Sequence, residues 1–304
     1  MVDYDSAINE LRTINDLVRW GASQFNGENL FYGHGTNNAI DEALALVLFA
    51  LKLEHGLPAE LMSSRLTQSE RSAIIGLFKR RIEEAVPAAY ITKEAWFAGL
   101  KFYVDERVLV PRSPIAELIE SGFEPWIDSS QVASILDLCT GSACIAIACA
   151  HAFPEAEVDA IDISEDALAV ATINVEKYHL DDHMNLIQSD VFDQLTGQTY
   201  DLIVSNPPYV DALDMSTLPD EFKHEPALGL EAGEDGLLIV SRILKEALQH
   251  LNPGGILVVE VGNSQQALIE KYPTVPFMWV DFARGGEGVF VLDYQSLQQH
   301  VAEF

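Results

Sequence analysis

From about residue 132 onward, short apolar runs rich in Val, Ile and Leu alternate with stretches of helical period. The runs near 134–138, 157–162, 185–188, 200–205, 255–261, 277–283 and 287–293 read as strands, most of them separated by helices. That alternation predicts a mostly parallel sheet covered on both faces. Ser164 is placed as the N-cap of a helix running to Tyr178, and Gly254-Gly255 as the turn into the fifth strand. Only Arg284-Gly285-Gly286 separates the last two runs, so they are expected to pair as an antiparallel hairpin at the sheet edge. The expected fold is α/β, doubly wound and seven-stranded.

The first 88 residues carry a helical pattern instead. Asp41 to Leu53 is apolar nearly all round and stops before Gly56, which predicts a buried central helix. A second helix over Glu70 to Glu84 would turn Ile74, Ile75, Leu77 and Phe78 to a core. Gly33-His34-Gly35-Thr36 precedes the first helix as a turn with a capping Thr, or else as a substrate contact. Ala89-Tyr90-Ile91-Thr92, Leu100 to Val104 and Arg107 to Val110 are short aromatic or β-branched runs that predict a strand-pair connector, closed by Pro111-Arg112-Ser113-Pro114. The expected organisation is a helical N-terminal substrate-recognition domain over 1–88, the connector over 89–112 and a catalytic domain over 113–304.

Charge narrows the partners. With 18 basic and 47 acidic residues the net charge is −29, although 48% of the 304 residues are hydrophobic. Phosphate binding draws on Lys and Arg, so this balance argues against a direct nucleic-acid substrate. It fits either steering of a strongly basic protein partner or a general solubility or salt adaptation. No apolar run approaches about 18 residues, and Met1 to Asp5 lacks the basic and apolar regions of a signal peptide, so a cytoplasmic protein is expected. Cys139, Cys144 and Cys149 show no paired C-x-x-C pattern and read as reduced core residues, with no metal site.

Candidate chemistry gathers at the predicted strand ends. Ile135-Leu136-Asp137-Leu138 runs into the small-residue turn Cys139-Thr140-Gly141-Ser142-Ala143 and then a helix, which brings backbone close to a ligand at the carboxyl edge of the sheet. The G-x-G-x-x-G pattern that receives a pyrophosphate is absent. The stretch resembles the D-x-G-x-G-x-G turn of class I methyltransferases, with Cys139 and Ala143 in place of two glycines. That resemblance implies S-adenosylmethionine as cofactor, with the turn holding its amino-acid portion. Asp162 ends the second strand, where a carboxylate can accept from both ribose hydroxyls. Asp190 ends the third, where it can accept from an adenine amino group while the backbone of Val191 serves the ring.

The fourth strand ends in Asn206-Pro207-Pro208-Tyr209. Two prolines forbid continuation of helix or ladder, so the chain must turn out of the sheet there. The Asn206 side-chain oxygen and the Pro207 carbonyl are two acceptors suited to the two N–H donors of a planar amino group, with Pro208 and Tyr209 shaping and stacking the slot. Together with Glu225-Pro226-Ala227-Leu228 and Gly233-Glu234-Asp235-Gly236-Leu237, this tetrapeptide resembles the N(5)-glutamine methyltransferases of the translation machinery over nearly the whole chain. Pro111 to Ile115, Tyr32 to Thr36 and Ala95-Trp96-Phe97 are similar to the subfamily acting on large-subunit ribosomal protein L-three. The resemblance implies transfer of a methyl group to a glutamine side-chain amide of that protein. The alternatives are a release-factor glutamine methyltransferase and an adenine N(6) methyltransferase, which uses the same tetrapeptide.

Overall fold

Capping boxes start two of the N-terminal helices in the computed structural model, which describes residues 2–304. Thr13 and Asp16 exchange backbone bonds at the start of α2 (Ile14–Gly27), and Thr67 and Glu70 do the same for α4 (Gln68–Glu83). Before them lies α1 (Tyr4–Glu10), capped by Asp3. Between them, α3 (Ala39–Leu51) is capped by Asn38, whose side chain accepts from the Ile40 and Asp41 amides. Thr36 is therefore not the cap; its hydroxyl donates to Glu42 at 2.5 Å. Ile74, Ile75 and Phe78 face the core as expected, while Leu77 is half-buried. Gly21 is what lets α2 approach Phe78, since a Cβ there would stand 2.6 Å from the ring.

These helices and α5 (Ala88–Thr92) form a compact unit of residues Met1–Ala95 with Pro219–His224. The run Ala89 to Thr92 was expected to be a strand and is helical instead, because the Pro87 carbonyl accepts from the Tyr90 and Ile91 amides and closes a helical turn. The excursion 219–224, read from sequence as part of the catalytic range, joins this unit through a buried ion network. Arg81, 1% exposed, donates from Nε to Glu42, from Nη1 to Glu221 at 3.0 Å and from Nη2 to the Phe31 carbonyl at 2.7 Å. The Phe31 amide also donates to Glu221, at 2.8 Å. Helix α3 is thus not apolar throughout, since Glu42 is fully buried in it.

The second unit holds Trp96–Leu218 and Glu225–Phe304. Strands β1 (Glu94–Phe97) and β2 (Leu100–Tyr103) form a hairpin whose turn residues Ala98 and Gly99 both have positive φ, the turn that matches strand twist. Arg107 to Val110 is not a strand. The Arg107 guanidinium grips Asp105 from Nε at 2.8 Å and Nη2 at 2.7 Å, and the Val108 amide donates to the Asp105 carbonyl, so the run folds into a turn.

After α6 (Ile115–Glu120), the chain alternates through β3 (Ser134–Leu138), α7 (Cys144–Ala152), β4 (Glu157–Asp162), α8 (Glu165–Tyr178), β5 (Met184–Gln188) and β6 (Tyr200–Ser205). It continues through α9 (Ala212–Met215), α10 (Leu238–Ala247), β7 (Leu251–Glu260), α11 (Gln265–Lys271), β8 (Met278–Trp279), β9 (Val289–Asp293) and α12 (Tyr294–His300). Among the described residues these make a seven-stranded sheet in the order β5-β4-β3-β6-β7-β9-β8. All pairings up to β7 are parallel and the two involving β9 are antiparallel. The order reverses between β3 and β6, the place where doubly wound sheets open a crevice at their carboxyl edge.

Ser164 caps α8 as expected. Gly254-Gly255, by contrast, lies inside β7, where the pairing with β6 shifts register; a Cβ on Gly255 would meet the Asp201 carbonyl at 2.7 Å. The terminal pair β8 and β9 is antiparallel but is linked by residues 280–288, a longer loop than Arg284-Gly285-Gly286 implied, and β8 is confined to two residues. Glycines at 285, 286 and 288 all take positive φ, which ends the strand pairing early on both sides. Among the described residues no helix is long and apolar enough to cross a membrane.

Candidate active site

Asp137, Asp162, Asp190 and Asn206 lie at or just past the carboxyl ends of β3, β4, β5 and β6, four strands that are consecutive in the sheet. The turn after β3 has positive φ at Cys139 (59°), Gly141 (55°) and Ala143 (62°), alternate positions of one small loop. Cys139 and Ala143 hold the left-handed conformation despite their Cβ atoms, at a cost of roughly 1 kcal/mol or more each.

Surrounding bonds keep the turn in place. Asp137, 0% exposed, accepts on Oδ2 from the Thr140 hydroxyl at 2.5 Å and the Ala146 amide at 3.1 Å. The Thr140 amide donates to the Ile161 carbonyl, and the buried Asn174 amide group donates to the carbonyls of Ser142 and Tyr103, each at 3.0 Å. Asp137 Oδ1 has no hydrogen-bond partner among the described residues. Burial, opposed by those bonds and helped by the charge of Asp162, pushes Asp137 up to about 7. Its side chain builds the turn from beneath and does not reach the open side. That side is at Gly141, where an added Cβ would meet nothing within 4 Å.

Asp162 joins the turn to β4, accepting from the Gly141 amide on Oδ2 and the Ser164 amide on Oδ1, each at 2.9 Å. Burial raises its pKa and the backbone bonds oppose the rise. Each carboxylate oxygen keeps a second lone pair, so two hydroxyls fit in addition. Asp190 is paired with Arg242 Nη1 at 2.7 Å, a cation on α10 that sequence reasoning missed. Next to it Val191 has φ 51°, an outlier for a β-branched residue and an observed strain just past the carboxyl end of β5. An open small-residue turn, a half-buried carboxylate with spare acceptor capacity and a strained backbone beside a third carboxylate fit an adenosyl amino-acid cofactor. Burial raises the thiol of Cys139 and pushes that of Cys144 up to about 12, so both are protonated and inert near neutrality.

At the end of β6, Asn206 is half-buried, Pro207 buried, and Pro208 and Tyr209 half-buried. Tyr209 is fixed on several sides. Its carbonyl accepts from the Ser264 hydroxyl at 2.8 Å, and its own hydroxyl donates to Glu260 at 3.1 Å. A Cβ on Gly262 would stand 2.6 Å from its ring. Behind it, Arg112 makes a two-pronged pair with Glu225, Nη1 to Oε1 at 2.5 Å and Nη2 to Oε2 at 2.7 Å, and the Val110 amide also donates to Glu225. Arg112 and Glu225 stood in stretches singled out by resemblance, but pairing between residues so distant in sequence leaves no periodic trace. Ser113 stood in the same stretch as Arg112, while Glu260 and Asn174 carried no signal at all.

Comparison with known proteins bears on the family and the fold. Residues 125–228 match the family described as Methyltransferase small domain. A Francisella tularensis subsp. tularensis protein named ribosomal protein uL3 glutamine methyltransferase is 50% identical over 298 residues, 98% of this chain and 95% of its own. A Xanthomonas campestris pv. campestris protein of the same name is 52% identical over 297 residues, 98% of this chain and 96% of its own. Among solved structures, the hMettl16 catalytic domain in complex with MAT2A 3'UTR hairpin 1 aligns with a TM-score of 0.52 at 17% identity, over 82% of this chain and 91% of that one. At that identity the likeness bears on the fold alone, which is that of class I methyltransferases.

Proposed function

The chain belongs to the ribosomal protein uL3 glutamine methyltransferases, and from that premise we propose that it transfers a methyl group from S-adenosylmethionine to the side-chain amide nitrogen of a glutamine in ribosomal protein uL3, giving N(5)-methylglutamine. The class I fold and the family imply this cofactor, which when bound supplies a methyl group on a sulfonium. In this reading the turn Cys139-Thr140-Gly141-Ser142-Ala143, built on Asp137, receives its amino-acid end. Asp162 accepts from the ribose hydroxyls, Asp190 and the Val191 backbone serve the adenine, and Asn206 borders the methyl-donor side.

A glutamine amide is a poor nucleophile because its lone pair is delocalised into the carbonyl. Asn206 Oδ1 and the Pro207 carbonyl accept its two N–H bonds and fix the direction of the nitrogen, while Pro208 and the Tyr209 ring bound the slot. The amide proton becomes acidic only once the nitrogen carries the methyl, so no residue has to act as a strong base. Orientation supplies most of the rate, as expected where a reacting pair is held in near-attack geometry. The helical residues 1–88 serve as the docking element for uL3 in this reading.

The observation that carries the proposal is the tetrapeptide Asn206 to Tyr209 at the end of β6, one strand from the small-residue turn after β3. The same tetrapeptide suits an adenine amino group, but a net charge of −29 opposes a polyphosphate substrate and favours a basic protein. A methyl-transfer assay offering uL3, a release factor and nucleic acid side by side tests it. Methylation of uL3 at a glutamine is expected; methyl transfer to nucleic acid alone would refute it.

A further inference from the structure

Glu260 has no part in the amide chemistry just derived, yet its position ties it to the slot. It ends β7, the strand paired with β6, and is 5% exposed. Its Oε1 accepts from the Tyr209 hydroxyl at 3.1 Å and its Oε2 from the Ser113 hydroxyl at 2.5 Å. One carboxylate thus joins the last residue of the tetrapeptide to the Pro111–Pro114 turn. The Tyr209 ring is pressed on the other side by Gly262, and Gly262 is itself packed on Gly288, where a Cβ would meet the Gly262 Cα at 2.6 Å. With glycine backbone beneath the ring and a carboxylate on the hydroxyl, the ring plane has little freedom. A buried carboxylate is costly to maintain for packing alone, because a neutral residue of equal volume would avoid desolvating a charge.

Resting on the glutamine methyltransferase reading, we propose that Glu260 is a positioning residue of the acceptor slot, its ionised carboxylate aligning the Tyr209 ring against which the substrate amide stacks. Ionised, both oxygens accept, one from each hydroxyl. Protonated, one oxygen becomes a donor and must find an acceptor. A donor aimed at the Ser113 or Tyr209 oxygen forces that hydroxyl to accept, and its own hydrogen, no longer received by Glu260, must find another partner, so one of the two donated bonds is lost. Burial pushes Glu260 up to about 7, against the pull of the Ser113 and Tyr209 bonds and the positive charge of Arg112. The charges facing the pair are Arg112 and, toward Tyr209, Glu225, which is engaged by Arg112. The slot is therefore ordered above about pH 7 and loosened below it.

The test is single-turnover methylation of isolated uL3 at saturating S-adenosylmethionine, from pH 6 to 9, with wild type, E260Q, Y209F and the double variant. Glutamine can accept from one hydroxyl but not from both, so E260Q is expected to lose about tenfold in rate at pH 8, the equivalent of one charge-assisted hydrogen bond. Its cofactor affinity by calorimetry should stay within about twofold, and the rise in rate near pH 7 expected of wild type should be absent. Y209F should lose a similar factor and the same pH step, and the double variant should lose no more than either single one. A wild-type rate and pH step in E260Q, or losses that multiply in the double variant, would overturn the role of Glu260. If E260Q does not fold, Y209F decides, since it removes one hydroxyl; a pH step that survives in it would overturn the role equally. Wild-type enzyme that leaves uL3 unmethylated at every pH would instead sink the function itself.

Discussion

In the proposed reading, replacing Asn206 by Ala removes an acceptor for the substrate amide and leaves the turn after β3 untouched. Turnover should fall by about two orders of magnitude or more, with S-adenosylmethionine affinity within a few-fold. Calorimetry beside single-turnover kinetics checks it, and a parallel loss of cofactor affinity would reassign Asn206. Gly141→Ala separates the two halves of the site from the other side. Cys139 and Ala143 already hold positive φ in the same turn, so Ala at 141 should fold with a loss of about 1 kcal/mol. Its methyl group would stand in the open space at the turn, and a tenfold or greater rise in the cofactor dissociation constant is expected, without change in the secondary-structure spectrum. At this scale the sequence was legible where one residue type carries one role: the four strand-end residues fall on four neighbouring strands as read. It was illegible where a role needs two distant residues. Asp190 carried no hint of Arg242, Tyr209 none of Glu260, and Arg112 and Glu225 meet only once the chain is folded.

Among elements, the alternation of apolar runs placed β3, β4, β6 and the cap of α8 within a residue or so, because buried parallel strands and capped helices each have a local signature. The reading failed where tertiary contacts override local preference. Ala89 to Thr92 is β-prone but is wound into helix by Pro87, and Arg107 to Val110 is folded into a turn by Asp105. The excursion Pro219–His224 belongs to the helical unit through Arg81, a feature no local pattern announces. That network makes a sharp expectation. Arg81→Ala leaves Glu42 and Glu221 buried without their cation, so the helical unit should lose roughly 3–5 kcal/mol, read as a drop in denaturation midpoint. Arg81→Met together with Glu42→Gln and Glu221→Gln should recover much of it. Equal loss in both variants would mean that packing, not charge, governs that site.

For the whole molecule, charge sets both stability and encounter. Asp137 and Glu260 are pushed up to about 7 by burial, so the folded state holds their protons more tightly than the unfolded chain does. Stability from this source is complete below the ordinary carboxylate range and is lost as pH rises through about 7, by roughly 4 kcal/mol for Asp137 and roughly 3 kcal/mol for Glu260. Asp105, held down to about 2 chiefly by Arg107, acts in the opposite sense and loses its contribution as pH falls from about 4 toward 2. The melting temperature should therefore be highest near pH 4 to 5 and decline toward pH 8, and D137N should flatten that decline. A melting temperature rising between pH 5 and 8 would contradict the burial of these carboxylates. In the proposed reading an enzyme of net charge −29 meets a basic protein, so its association rate should fall as salt shortens the screening length below about 10 Å. The most direct test of the central claim is mass spectrometry of isolated uL3 and a release factor after incubation with the enzyme and labelled S-adenosylmethionine. One methyl group on a uL3 glutamine side chain, with the release factor unmodified, is the expected result; a methyl group on the release-factor glutamine and none on uL3 would contradict it.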